Sequence, residues 1–209
     1  SPKLVIDTNE QFSFKIIDRL LHKSDLDSKK RLAKHLNEIR HLHLNDRNLT
    51  EQQIDSLSYA LLENNALSSI TLYNTQIEDG DAVKLFKSLE GNTTISKIDL
   101  ALNELTSISA HSIGSFLEKN KKVTHLNLSG NWIGSKGITT LLNYLGENKT
   151  ITDINLSMCN IKNRGATEIR AFLETNKTVT NINLDYNQFD PTIKKEIEHL
   201  LNRNRRRIN

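Results

Sequence analysis

From Ile39 onward the chain repeats itself every 28 residues with no slippage across six copies, and this period limits the possible folds more than any other feature. The copies open with IRHLHLNDRNL at Ile39, LSSITLYNTQI at Leu67 and ISKIDLALNEL at Ile95, followed by VTHLNLSGNWI at Val123, ITDINLSMCNI at Ile151 and VTNINLDYNQF at Val179. Aliphatic residues recur at repeat positions 1, 4 and 6, and an apolar residue closes position 11. In the fourth copy these are Val123, Leu126, Leu128 and Ile133. Alternation at positions 4 and 6 predicts a short strand.

The rest of each copy has a helical period. Ala82, Leu85 and Leu89, like Ala166, Ile169 and Leu173, fall three and four residues apart and form one apolar stripe. Position 26 is asparagine in all six copies, from Asn64 to Asn204. Its place after the helix predicts left-handed backbone, which asparagine tolerates. Each unit then reads as strand, loop and returning helix. One such unit cannot cover its own apolar side, so neighbours must stack.

The L-x-x-L-x-L-x-x-N-x-L segments resemble those of the leucine-rich repeat family, and the 28-residue length is similar to its ribonuclease-inhibitor-like subtype. The resemblance covers residues 39–206 and implies an α/β solenoid shaped as a horseshoe, with a parallel β-sheet on the concave side and helices on the convex side. Position 9 departs from asparagine at Arg47, Thr75 and Cys159; cysteine is common there in the subtype, whereas Arg47 predicts a modified first turn.

Residues 1–38 read as a helical N-terminal cap. Thr8 and Gln11 have capping-box spacing ahead of an apolar face of Phe12, Ile16, Ile17, Leu20 and Leu21, and Leu32, Ala33 and Leu36 continue as a second helix. At the other end Asp190-Pro191 reads as N-cap and first helical residue, and residues 207–209 as a tail.

Several motifs invite a chemical reading. His41 and His43 project from one strand face, as two zinc ligands would. The neighbouring strand offers only Ser69 and Thr71, and His125 stands about 14 Å away at ~4.8 Å per strand, so no metal site is expected. Cys159, the single cysteine, is expected to be structural rather than nucleophilic. The sequons at Asn92, Asn148 and Asn176 share one repeat phase, so the repeat itself explains them. Arg203, Arg205, Arg206 and Arg207 read as a solvated tail rather than a phosphate grip.

What remains is surface. Tyr73, Leu102, Trp132, Met158 and Tyr186 are apolar or aromatic at positions 7, 8 and 10 of the strand-exit rim, where the repeat core does not need them. Exposed, they would form a band of the kind that anchors interfaces. On the concave face His41, His43 and Asp99 complete the candidate partner-binding set, and its mixed charge argues against a nucleic-acid groove.

The expectation is a non-catalytic protein-binding module with no cofactor, no small-molecule substrate and no membrane partner. The net charge of +3 is too small to suggest otherwise, and no run of about 18 apolar residues is present. The asparagine- and lysine-rich, glycine-poor repeats resemble those of effectors from intracellular bacteria such as Legionella. That resemblance implies a host-protein partner and a cytoplasmic protein or one secreted into host cytosol without a classical signal. The alternatives are a targeting domain of a larger enzyme or regulator and, behind it, a nucleic-acid-binding scaffold.

Overall fold

A computed structural model describes the backbone of residues 8–207 and the side chains of residues 13–207. The capping box read at Thr8 and Gln11, and the side chain of Phe12, lie outside the described side chains. Two helices, α1 (Thr8–Leu21) and α2 (Leu26–Leu36), precede β1 (His41–His43). Then follow α3 (Glu51–Leu61), β2 (Ser69–Thr71), α4 (Asp79–Ser88), β3 (Lys97–Asp99), α5 (Ser109–Lys119) and β4 (His125–Asn127). The chain continues through α6 (Gly134–Leu145), β5 (Asp153–Asn155), α7 (Asn163–Thr175), β6 (Asn181–Asn183) and α8 (Pro191–Arg205).

The strands form one parallel sheet in sequence order, and every pairing joins residues 28 apart, such as Leu42 with Ile70 and Ile154 with Ile182. Strands stack about 4.8 Å apart, whereas packed helices need about 8–10 Å. The stack must therefore bend with the sheet inside, which gives the leucine-rich-repeat solenoid its concave face. Between the two layers runs one continuous core. Positions 4 and 6 and the helix stripes supply it: Leu126, Leu128, Ile138, Leu141 and Leu145 in the fourth copy are all buried.

The asparagines at position 26 carry a structural role that the sequence reading misplaced. Asn120 and Asn176 have φ of −74° and −73°, and none of the six adopts positive φ. They are instead a buried spine. Each Nδ2 donates to the backbone oxygen 28 residues earlier: Asn64 to Leu36 at 3.0 Å, Asn92 to Asn64 at 2.7 Å, Asn120 to Asn92 at 2.9 Å. The series continues through Asn176 to Asn148 at 3.4 Å and Asn204 to Asn176 at 3.1 Å. From Asn64 to Asn176 each Oδ1 accepts the N–H that leads into the next strand, as from Val123 at 2.8 Å and Ile151 at 2.9 Å. Glycosylation at Asn148 or Asn176, each 1% exposed, would have to break this spine.

Left-handed backbone recurs at position 8 of every copy, and at position 10 in Gln76 and Asn160. Asp46, Asn74, Leu102, Gly130, Met158 and Tyr186 all have φ between 52° and 69°. At position 9 a second ladder forms. Asn103 Oδ1 accepts from Thr75 N and Ile77 N, both at 3.0 Å, while its Nδ2 donates to Leu72 O at 2.8 Å.

Arg47 modifies the first turn in a definite way. Its guanidinium donates to Asp18 of α1 at 2.6 Å and lies 4.4 Å from the centre of the Phe14 ring, so position 9 of the first copy clamps the cap. Helix α2 is less irregular than its sequence suggested: Leu36 stands 28 residues before Asn64 and offers the carbonyl that starts the spine.

The C-terminal arginines are a correction of a different kind. Arg203 and Arg205 lie in α8 and make hydrogen bonds, Arg203 half-buried and Arg205 exposed, while Arg206 and Arg207 are exposed as the solvated reading expects. Arg203 Nε donates to Asn204 Oδ1 at 3.2 Å, and Arg205 Nε donates to Thr180 O at 2.9 Å. Asn204 Oδ1 and Thr180 O are the counterparts of acceptors that in earlier copies serve the next strand. Asp190 caps α8 as expected, accepting from Thr192 N at 2.7 Å.

Leu128 is fully buried at the centre of the stack. Leu128→Ala is expected to cost about 2–5 kcal/mol. Denaturant unfolding that matched the parent would show that the middle layer does not support its neighbours.

Candidate partner-binding rim

The strand-exit rim is set by the turn that follows each strand. Position 5 side chains shape it: Asn127 Oδ1 accepts from Ser129 N at 3.1 Å, and Asn155 and Asn183 do the same two residues on, at 3.1 and 3.0 Å. These are Asx turns, so that asparagine column serves local backbone before it serves a cross-strand ladder. The cross-strand ladder runs at position 2, where Thr124, Thr152 and Thr180 hydroxyls donate to the preceding strand's carbonyl at 3.1, 3.2 and 3.4 Å.

After the Asx turn the backbone enters left-handed geometry at position 8 and exposes whatever side chain stands there. Leu102 is 40%, Met158 54% and Tyr186 85% exposed, at φ of 54°, 55° and 58°. For an ordinary L-residue this conformation costs about 1–2 kcal/mol. Asn74 and Gly130 fill the same slot with residue types suited to it. Gly130 has a further reason to be glycine: a Cβ there would stand 2.3 Å from Leu102 Cδ2. Leu102 therefore lies across the turn of the fourth copy, two residues before Trp132.

Position 10 is exposed in every copy, and Trp132 at 68% is no exception. Its backbone is fixed while its indole is free of the core. Trp132 N donates to Leu105 O at 2.8 Å, in a parallel bridge with Thr106. Thr106 is in turn held by Asp79 of the preceding unit, whose carboxylate accepts from Thr106 N at 2.8 Å, Thr106 Oγ1 at 2.6 Å and Ser109 N at 3.1 Å. Burial alone would raise the Asp79 pKa, but these bonds from Thr106 and Ser109 outweigh it and hold the carboxyl below its ordinary range. Sequence reasoning missed this group, which lies 27 residues from Thr106 and caps a helix of the next copy.

The remaining predicted residues divide. Tyr73 is half-buried, with its N–H donating to Asn45 Oδ1 at 3.3 Å. His41 and His43 are exposed on the sheet face, and His41 Nδ1 lies 2.8 Å from Ser69 Oγ. Asp99 is half-buried and already committed, accepting from Ala101 N at 2.9 Å and Asn127 Nδ2 at 3.0 Å. The structure thus gathers the apolar residues on the rim and gives Asp99 a scaffold role.

Two other motifs find their places. Among the described residues no group of three His, Cys, Asp or Glu side chains is arranged to hold a metal ion, and no helix is long and apolar enough to cross a membrane. Cys159 is buried, its Sγ donating to Leu128 O at 3.1 Å, and burial pushes its thiol up to about 11. It is therefore protonated at neutral pH and has a bond in the turn ladder.

Residues 119–142 and 147–169 match the family model described as Leucine Rich repeat. No curated protein matches the sequence. Among solved structures the chain is similar to leiomodin-1 actin-binding site 2, with 18% identity, a TM-score of 0.53, and coverage of 99% of this chain and 92% of that one. It is also similar to the tropomodulin C-terminal domain of Caenorhabditis elegans, with 14% identity, a TM-score of 0.57, and coverage of 94% and 95%. At these identities the likeness is one of fold.

Asp79 gives the rim a pH dependence. Its folded pKa is depressed, so its stabilisation is present above the unfolded value near 3.9 and is lost as pH falls through the folded value. The melting temperature of Asp79→Asn should lie below that of the parent at pH 7, and the gap should narrow below about pH 4. A gap of equal size at pH 7 and pH 3 would show that the charge is not what holds Thr106.

Proposed function

We propose that this leucine-rich-repeat solenoid is a protein-binding module whose partner docks on the strand-exit rim around Trp132, Leu102, Met158 and Tyr186. One observation carries the reading. Three large apolar side chains occupy left-handed positions that disfavour them, and all three face solvent together with an exposed indole. Neither backbone preference nor core packing accounts for them, whereas partner binding supplies a reason for both the strain and the exposure. The rigid sheet supports the same reading, because it fixes the rim without itself presenting a nucleophile, acid and base in one place. His41 and His43 extend the surface onto the concave face.

The narrower readings are proposals of the same kind. The 28-residue unit supports a ribonuclease-inhibitor-like subtype. The asparagine- and lysine-rich repeats support a bacterial effector that acts on a host protein in host cytosol. Actin, named for the leiomodin-1 site, is a practical first probe rather than a partner that an 18% likeness assigns.

Trp132→Ala should leave stability within about 1 kcal/mol of the parent, as at other exposed sites. Affinity for the true partner should fall by about 2 kcal/mol or more, as for a central aromatic anchor. Capture from candidate host lysate with parent and variant side by side, followed by titration of the captured protein, measures both. Equal affinity in a folded variant would move the interface off the rim.

A further inference from the structure

Beyond the sheet a second ladder runs along the rim. Glu104 N donates to Ile77 O at 3.0 Å, Trp132 N to Leu105 O at 2.8 Å and Gln188 N to Ile161 O at 2.8 Å. Position 10 of these copies therefore stands beside the copy before, as Trp132 beside Thr106 and Gln188 beside Lys162. The ladder sets Glu104 next to Ile77, whose neighbour in sequence is Glu78. Both glutamates are exposed, so two carboxylates gather where the second and third copies meet.

Further along the stack the sign reverses. Lys136 of the fourth copy, with Lys162 and Arg164 of the fifth, stands at position 12 or 14, and all three are exposed. Among the described residues none of these five charged side chains takes part in a salt bridge. Between the two ends lies an apolar centre. Ile108 is exposed at position 14 of the third copy, where the other copies carry Gln52, Gly80, Lys136, Arg164 and Thr192. It follows Thr106, the residue bridged to Trp132, by two residues and so stands on the rim with Trp132 and Leu102.

The order along the stack is thus acidic, apolar, basic, and its midpoint falls between the third and fourth copies, at the apolar residues themselves. Such a patch is complementary to itself. A two-fold axis through its centre lays the acidic end of one copy on the basic end of the other, and apolar centre on apolar centre. A nucleic acid or an anionic membrane would meet the basic end favourably but be repelled by Glu78 and Glu104. The Glu104 and Trp132 amides of this row are spent on its own ladder, so recognition there goes through side chains.

We propose that the rim pairs with the rim of a second copy of this chain, in an antiparallel dimer with two-fold symmetry. Trp132 and Leu102 lie near the axis, and Glu78 and Glu104 of each copy face Lys136, Lys162 and Arg164 of the other. The inference rests on the reading of the rim as an interface and makes a second copy its occupant. The desolvated apolar centres supply affinity, and the flanking charges fix orientation, since a parallel arrangement sets like charges against each other.

The full chain is followed by sedimentation equilibrium up to millimolar protein, with a melting curve of each variant as the check on folding. A reversible monomer–dimer equilibrium is expected, weakened by added salt as the exposed charges are screened. Trp132→Ala should weaken it at least tenfold. Lys136→Glu, Lys162→Glu and Arg164→Glu combined should leave the chain monomeric, as should Glu78→Lys with Glu104→Lys. Mixing these two variants should restore a dimer at least as tight as that of the parent, which neither lost folding nor lost packing could produce. Because Glu78 is the N-cap of α4, Glu104→Lys alone serves as the acidic arm where the double variant melts early. A parent that stays monomeric, a dimer indifferent to Trp132→Ala or to either reversal, or a mixture that stays monomeric would each overturn the proposal. A monomeric parent leaves the rim open to a different protein, so this inference can fail while the reading of the rim as an interface stands.

Discussion

A buried asparagine carboxamide bonded to the backbone of the neighbouring unit is the interaction on which the rest of the molecule depends. Stacking short strands and helices buries apolar side chains cheaply, but it also buries the loops that join them, whose N–H and C=O groups have no regular partner. Two asparagine columns solve this. The spine from Asn64 to Asn204 satisfies the turn between helix and strand. Position 9, through Asn103, Asn131 and Asn187, satisfies the turn between strand and helix. Each carboxamide bonds across a unit boundary, so the register between units is fixed at two edges and apolar packing only has to fill the space between.

The exceptions to these columns mark what is particular to this chain. Where position 9 is Arg47, the turn reaches out to α1 instead and holds the cap by an ion pair and a ring contact. Where it is Cys159, a buried thiol keeps one of the bonds. In α8 Arg203 and Arg205 take up Asn204 Oδ1 and Thr180 O, the counterparts of acceptors that serve the following strand in earlier copies. The first and sixth copies thus depart from the asparagine columns by different chemistry, through Arg47 in one and the arginines of α8 in the other.

Rim and scaffold separate along the same logic. Asp99 looked like a candidate contact because it stands at an outward strand position, yet its carboxylate is spent on Ala101 N and Asn127 Nδ2. Leu102 and Tyr186 looked no more remarkable than Tyr73, yet they stand at a left-handed position where a fold optimised for stability alone would place asparagine or glycine. A polar residue on the sheet face can belong to the framework, and an apolar residue beyond it can be surplus to the framework.

The period, strand register and helix stripes were all legible from the residues, because each follows from counting in steps of 28 and from apolar spacing along a single copy, whereas the exposure of Trp132 was left to the structure. Asparagine at position 26 was equally visible, but its meaning was not: the sequence shows that the residue is required, and a left-handed turn and a buried bond across units require it alike. The same holds for Asp79 and Arg205, whose partners Thr106 and Thr180 lie 27 and 25 residues away. Sequence by itself determined which residues face inward, since burial follows from the period of each element. Only the tertiary structure decided which polar groups satisfy one another, since hydrogen-bond partners here are set by stacking between units and not by proximity along the chain.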